Sequence, residues 1–179
     1  METSPASDRS ASWASSPATR ATMRANHGRD TGPELRVRRL VHAAGLRYRV
    51  NARPESDVRR TVDMLFSTSR VVVLIDGCFW HGCPEHHQAP KANADFWASK
   101  IELNRVRDAQ TNGILTDRGW LVLRIWEHEI RANVDDVVAR IVEAVRARSA
   151  GALAQKRVED RPEEPDDLLP SDDERPVEQ

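Results

Sequence analysis

The chain has little cysteine: two residues among 179, Cys78 and Cys83. So few, so close together and followed by histidine, argue against a disulfide framework and for metal binding. It also lacks long apolar runs. No stretch approaches the roughly 20 residues that a membrane span needs. The N-terminus has no apolar core behind its first basic residue, so no secretory signal is expected. No internal repeat is visible. The cytosol is the expected compartment. An overall charge excess is absent as well: the formal net charge is -1.

That balance hides an asymmetry. Residues 151–179 carry 10 acids against 4 bases, leaving 23 bases and 18 acids in the rest. Between Arg20 and Arg60 stand 11 arginines against Asp30, Glu34, Glu55 and Asp57. A basic body with an acidic end suggests a surface for a polyanion such as nucleic acid. A genomic bias toward arginine codons would give the same excess.

Residues 1–20 are rich in Ser, Ala and Pro without periodicity and are expected to be a disordered tail. Residues 150–179 are acidic and Pro-punctuated and read the same way, which leaves a domain over 21–149. Thr31-Gly32-Pro33-Glu34 fits a capped helix start. Val37, Leu40, Val41 and Ala44 continue at helical spacing, and Gly45 supplies the stop. Leu46–Val50 alternates like a strand. Strands are expected at Val62–Phe66, Arg70–Ile75 and Trp120–Trp126. Helices are expected from about Ala94 to Thr111, with a further turn up to Arg118 that Gly119 ends, and after Asn133. The order α-β-β-β-α-β-α predicts an α/β fold, a mixed sheet with flanking helices.

What is there in density is one run, Asp76-Gly77-Cys78-Phe79-Trp80-His81-Gly82-Cys83-Pro84-Glu85-His86-His87. Cys78, Cys83 and His86 offer three ligands within nine residues, and His128, just past an apolar strand, is the candidate fourth. Thiolate and imidazole together favour tetrahedral zinc, structural because no position is left open. His87 competes with His86 on spacing. Two buried free cysteines beside unrelated histidines would be the plainer reading. Phe79 and Trp80 lie between the candidate ligands and are either wedges for DNA or a small core over the metal.

A second constellation starts from Asp63, an acid inside the apolar run Val62–Phe66. Burying it is costly without a partner, and a divalent cation is one. Asp63 with the Ile75 carbonyl, across a hairpin, makes a hard oxygen site of the kind Mg2+ uses, with Glu34 as an outer carboxylate. His81 is the candidate general base. An edge-strand acid reaching solvent and a histidine that binds zinc or packs are the competing readings.

These pieces together resemble the very short patch repair (Vsr) endonucleases. The carrying motifs are Met23-Arg24, Arg29-Asp30-Thr31 and Glu34; Asp63 before an apolar hairpin; the run Asp76–His86; Phe96-Trp97, Lys100-Ile101, Asn104 and Arg107-Asp108; and Gly119-Trp120 with Trp126-Glu127-His128. The resemblance implies a restriction-endonuclease-like fold with a structural zinc site at Cys78, Cys83, His86 and His128. It implies catalysis by Asp63, His81 and Glu34, with Mg2+ on Asp63 and the Ile75 carbonyl. It implies DNA contacts by Phe79, Trp80, Trp97 and Arg24, and supporting roles for Asp76, Asn104 and Asp108. The implied activity is nicking of one strand 5′ to the thymine of a T:G mismatch left by deamination of 5-methylcytosine. The implied partner is mismatched double-stranded DNA, with mismatch-repair proteins as a further candidate, and the protein is expected to be a nucleoid-associated monomer in the cytoplasm. Two departures stand out. Arg60-Thr61-Val62-Asp63 replaces the family's frequent Gly-x-Pro-Asp, and the acid-x-Lys of restriction-type nucleases is missing, with His81 in its stead. A nuclease of the same fold serving restriction or phage defence, and a non-catalytic zinc DNA-binding module, are the alternatives.

Overall fold

The computed structural model describes residues 30–89 and 93–159, without the side chains of 156–159. Arg24 and the two segments expected as tails, up to residue 20 and from residue 160, lie outside the described residues.

The first helix, α1 (Gly32–Ala43), starts where its capping residues require. The Thr31 hydroxyl accepts from the Glu34 amide at 3.5 Å. The Glu34 carboxylate in turn accepts from the Asp30 amide at 2.8 Å, one residue beyond the usual reach of a capping box. Gly45, at φ 87°, ends the helix, with the Leu46 amide bonded back to the Val41 carbonyl.

The sheet follows in the order β1 (Arg49–Ala52), β2 (Val62–Phe66), β3 (Val71–Asp76) and β4 (Leu121–Trp126). The first three strands are antiparallel, with Leu65 opposite Arg49 and Val72. Between β3 and β4 the pairing is parallel, and Asp76 pairs in register with Trp126. The long helix α2 (Ala94–Asp117) makes that crossover. A parallel pair needs such a connection, and it sends β3 and β4 out at the same edge of the sheet. The ends of β3 and β4 therefore set Asp76 beside Trp126, and Cys78, two residues on, against His128.

Two apolar clusters sandwich the sheet. One joins Val37 and Val41 of α1 to Met64, Phe66, Val71, Val73 and Ile125, and to Val137, Ile141 and Val145 of the last helix. The other joins Val62, Leu65 and Val72 to Leu115 and Trp120. Helices cover both faces, so the centre of β3 (Val71, Val72, Val73) is wholly buried, as its unbroken apolar run requires.

Four elements differ from the sequence expectation. The first strand begins at Arg49 rather than Leu46, because Leu46 closes α1 and the Tyr48 hydroxyl donates to the Arg38 carbonyl at 2.6 Å. The helix α2 is one continuous element to Asp117. Downstream of β4 the chain does not enter a loop but a short helix, α3 (Glu127–Ala132), whose start is capped by the Glu129 carboxylate on the Trp126 amide at 2.7 Å. The final helix, α4, spans Val134–Glu159 and overruns the expected boundary at 149. Ala152, Leu153, Ala154, Gln155, Lys156 and Arg157 are all good helix formers, and the first proline comes only at Pro162. Among the described residues no helix is long and apolar enough to cross a membrane.

Candidate active site and metal-ligand cluster

Two constellations meet where β3 ends. In the first, the β2–β3 hairpin brings the Ile75 amide to Asp63, donating to Oδ2 at 2.7 Å. The observed contact runs through the Ile75 N–H, and one carboxylate oxygen is left for another partner. Burial pushes the Asp63 carboxyl up to about 6, opposed by that amide bond and helped by the negative charges of Glu34 and Asp76. An acid held in such a place gains most from a nearby cation.

Glu34 is buried on α1 with its carboxylate fixed from three directions. Arg38 Nη2 donates at 2.9 Å, the Asp30 amide at 2.8 Å, and the Thr31 hydroxyl at 2.9 Å. Arg38 also reaches Asp30 at 2.5 Å. The charge of Glu34 is thus balanced within α1 while its field still reaches Asp63.

His81 is not part of the sulfur cluster. Its Nδ1 lies 2.6 Å from Asp108 Oδ2 on α2. A neutral imidazole bonded this way carries its proton on Nδ1 and keeps the Nε2 lone pair available. Asp76 Oδ1 lies farther off, at 3.6 Å. Asp76 is committed instead to Arg124, which donates from Nε and Nη2 to its two oxygens at 2.6 Å each. Arg124 Nη2 also lies 3.1 Å from Asp108 Oδ1.

The second constellation is sulfur and imidazole. Cys78 Sγ and Cys83 Sγ lie 3.3 and 3.5 Å from His128 Nδ1. Cys83 Sγ lies 3.9 Å from His86 Nδ1, and the two histidine rings are 4.3 Å apart. Tetrahedral zinc, with Zn–S about 2.3 Å and Zn–N about 2.0 Å, sets sulfur and nitrogen ligands about 3.6 Å apart. Cys78, Cys83 and His128 bring their ligand atoms within 4.8 Å of one another, as one shared ion requires, whereas His86 groups with Glu85 and His128. Burial pushes the Cys78 thiol up; a hydrogen bond from the His128 backbone lowers it, and Cys83 raises it again. His87, the competing ligand, turns elsewhere: its ring lies 5.9 Å from Phe79.

Between the two constellations sits an aromatic group. Phe79, Trp80 and Trp97 pack edge-on in a triangle with centroids 5.1, 5.2 and 5.7 Å apart. Trp97 is buried, whereas Phe79 and Trp80 are half-buried. The loop is tied to α2 by Asn104 Nδ2 on the Trp80 carbonyl at 2.9 Å and Arg105 Nη2 on the Gly82 carbonyl at 2.6 Å. At Gly82 φ is 61°, and a Cβ would come within 2.7 Å of Ile101 Cγ2. Only glycine lets the loop press so closely on the helix.

The model of the family "DNA mismatch endonuclease Vsr" matches residues 14–88. The chain is 40% identical over 125 residues to the type II nicking enzyme V.NaeI of Lentzea aerocolonigenes, covering 69% of this chain and 74% of that one. It is 38% identical over 113 residues to V.XorIIP of Xanthomonas oryzae pv. oryzae, covering 62% and 80%. With the DNA mismatch endonuclease Vsr of Escherichia coli K12 it shares 35% over 121 residues, covering 65% and 74%. The chain belongs to the Vsr family.

Most Vsr-type positions singled out from the sequence come together at the end of β3. Among the aromatics, Trp97 is buried, packed edge-on against the half-buried Phe79 and Trp80. Arg124 was missed. Its signal was the same as that of Asp63, a charge inside an apolar strand, Leu121-Val122-Leu123-Arg124-Ile125-Trp126.

Proposed function

We propose that this Vsr-family protein is a strand-specific DNA endonuclease that nicks 5′ to the thymine of a T:G mismatch. The products would be a 3′-hydroxyl and a 5′-phosphate. The observation that carries the reading is the convergence of Asp63, Glu34 and the His81–Asp108 pair near the half-buried rings of Phe79 and Trp80. Relatives named as nicking enzymes support cleavage of one strand only.

Asp63 and the Ile75 backbone would hold Mg2+. When bound, the ion supplies Lewis-acid stabilisation of the phosphoryl charge and the leaving oxygen. The Ile75 amide keeps the Asp63 carboxylate turned toward that site. Glu34, immobilised by Arg38, adds an outer carboxylate that orients water. His81, held at Nδ1 by Asp108, takes the proton of the attacking water at Nε2. Phe79 and Trp80 enter the base stack next to the mismatch, with Trp97 behind them. Opening a step costs a few kcal/mol, least where the pair is already mismatched. Cys78, Cys83, His86 and His128 would hold a zinc ion that braces this loop and takes no part in the chemistry.

The test is nicking of a T:G duplex in Mg2+ by wild type, Asp63→Ala and His81→Ala. Losses of about 100-fold or more in rate are expected from each variant, with DNA binding retained. Unchanged rates in both would overturn the mechanism. A zinc-containing DNA-binding module without activity would bind the same duplex and never cut it.

A further inference from the structure

Arg124 is absorbed by none of the roles above, yet it has the densest set of polar partners near the site. Its guanidinium grips both oxygens of Asp76 at 2.6 Å. It touches Asp108 Oδ1 at 3.1 Å, and through Nη1 it reaches Asn112 Oδ1 at 3.2 Å. Asp76 is nearly fully buried. Arg124 sits on β4, Asp76 at the end of β3, and Asp108 and Asn112 one turn apart on α2. One side chain therefore joins three elements, and its partner Asp108 is the residue that holds His81.

The ligand atoms of Asp76, His81 and Asp108 lie within 4.8 Å of one another, a spacing that a metal ion could also use. Arg124 already supplies the positive charge there. Both Asp76 oxygens and one Asp108 oxygen face its N–H groups, in the bidentate geometry at which arginine excels.

We propose that Arg124 is a positioning residue for the nicking reaction: it neutralises Asp76 and locks Asp108, so that Asp108 holds His81 by Nδ1 with Nε2 directed to water. The inference rests on His81 acting as the base, as proposed above. Without the guanidinium, Asp108 is no longer fixed, and the side-chain oxygen at position 76, already 3.6 Å from Nδ1, competes with it for the imidazole whether it belongs to a carboxylate or to an amide. His81 then has two orientations, of which one serves the reaction.

The experiment uses the full chain in three forms beside wild type: Arg124→Lys, Arg124→Met, and the neutral pair Asp76→Asn/Arg124→Gln. The last avoids an uncompensated buried carboxylate, which threatens folding of Arg124→Met. Two readouts are taken with melting temperature as the control. One is the single-turnover nicking rate against the DNA dissociation constant. The other is the downfield proton resonance of His81 Nδ1–H, assigned by its loss in Asp108→Asn. The neutral pair is expected to fold, to bind DNA as wild type does, and to lose about 10- to 100-fold in rate, the scale seen for outer-shell partners of catalytic groups. Its His81 resonance moves or broadens. Arg124→Lys, which keeps the charge but not the fork, falls between. A neutral pair with wild-type rate and an unmoved resonance would overturn the proposal and leave Arg124 as a tether of α2. So would a wild type lacking that resonance. A wild type that shows the resonance but does not nick T:G duplex would instead fail the mismatch reading alone.

Discussion

At the scale of single residues the site is built from charges placed in apolar strands. Asp63 was legible as such in the sequence, because an acid among Val62, Met64, Leu65 and Phe66 demands a partner. Arg124 carried the same signal in β4 and was passed over, because its partner Asp76 lies 48 residues away and only the parallel pairing of β3 and β4 brings them together. The Asp63 carboxyl, raised from 3.8 to about 6, makes a prediction about stability. Its folded pKa exceeds the unfolded one, so between these values the folded state binds more protons than the unfolded state. Stability from this group is present below about pH 4 and is lost as pH rises through about 6. In metal-free protein, Asp63→Asn is therefore expected to be more stable than wild type at pH 7, by on the order of 2–3 kcal/mol, with the gap closing at pH 4. Urea unfolding at the two pH values measures it. An asparagine variant less stable at pH 7 would mean that Asp63 is charged and satisfied without a cation. Gly82 gives a second prediction. Alanine there has to adopt a left-handed backbone and displace Ile101 or Arg105. The expected cost is about 1–3 kcal/mol, read as a lower melting temperature.

At the scale of elements, the helices and central strands followed from periodicity, while the short pieces did not. Helix α3 has six residues, too few to display a period. It matters because it carries His128, so one member of the sulfur–imidazole cluster stands on a helix and not in a loop. The chain between Gly45 and β1 read as alternating, but Leu46 and Tyr48 pack against the first cluster as a connection. Zinc, if it joins Cys78 and Cys83 to α3, fixes the aromatic loop to the end of β4. Chelation of the zinc-loaded protein should then lower its melting temperature and expose Trp80 to quenching of its fluorescence, while Cys83→Ala shows no further loss on chelation. A purified protein with no bound zinc and an ordered loop would remove the brace. Within α2, Gly113 occupies a helix interior with open space where a Cβ would stand. Gly113→Ala should stabilise the protein by about 0.5–1 kcal/mol, measurable in the same melting experiment and without effect on nicking.

At the scale of the whole molecule, charge separates a basic body from an acidic end. Residues 160–179 carry 9 acids and 2 bases. If they only solubilise the protein, removing them leaves the dependence of DNA affinity on salt unchanged. If they compete with DNA for the basic face, the truncated chain binds more tightly at low salt and its affinity falls more steeply as salt rises. The sequence conveyed this asymmetry and the central run Asp76–His87, because both are local. It did not convey how that run divides its work, since His81 could have joined the cysteines. The division follows from the crossover through α2, which sets Asp108 against His81 and leaves His128 for the thiols.

The most direct test of this account is a strand-labelled nicking assay with one T:G duplex and its T:A parent in Mg2+. A single cut 5′ to the mispaired thymine is expected, ending in a 3′-hydroxyl and a 5′-phosphate, absent from the T:A duplex and lost in Asp63→Ala. Equal cutting of both duplexes, or cutting of both strands, would contradict it.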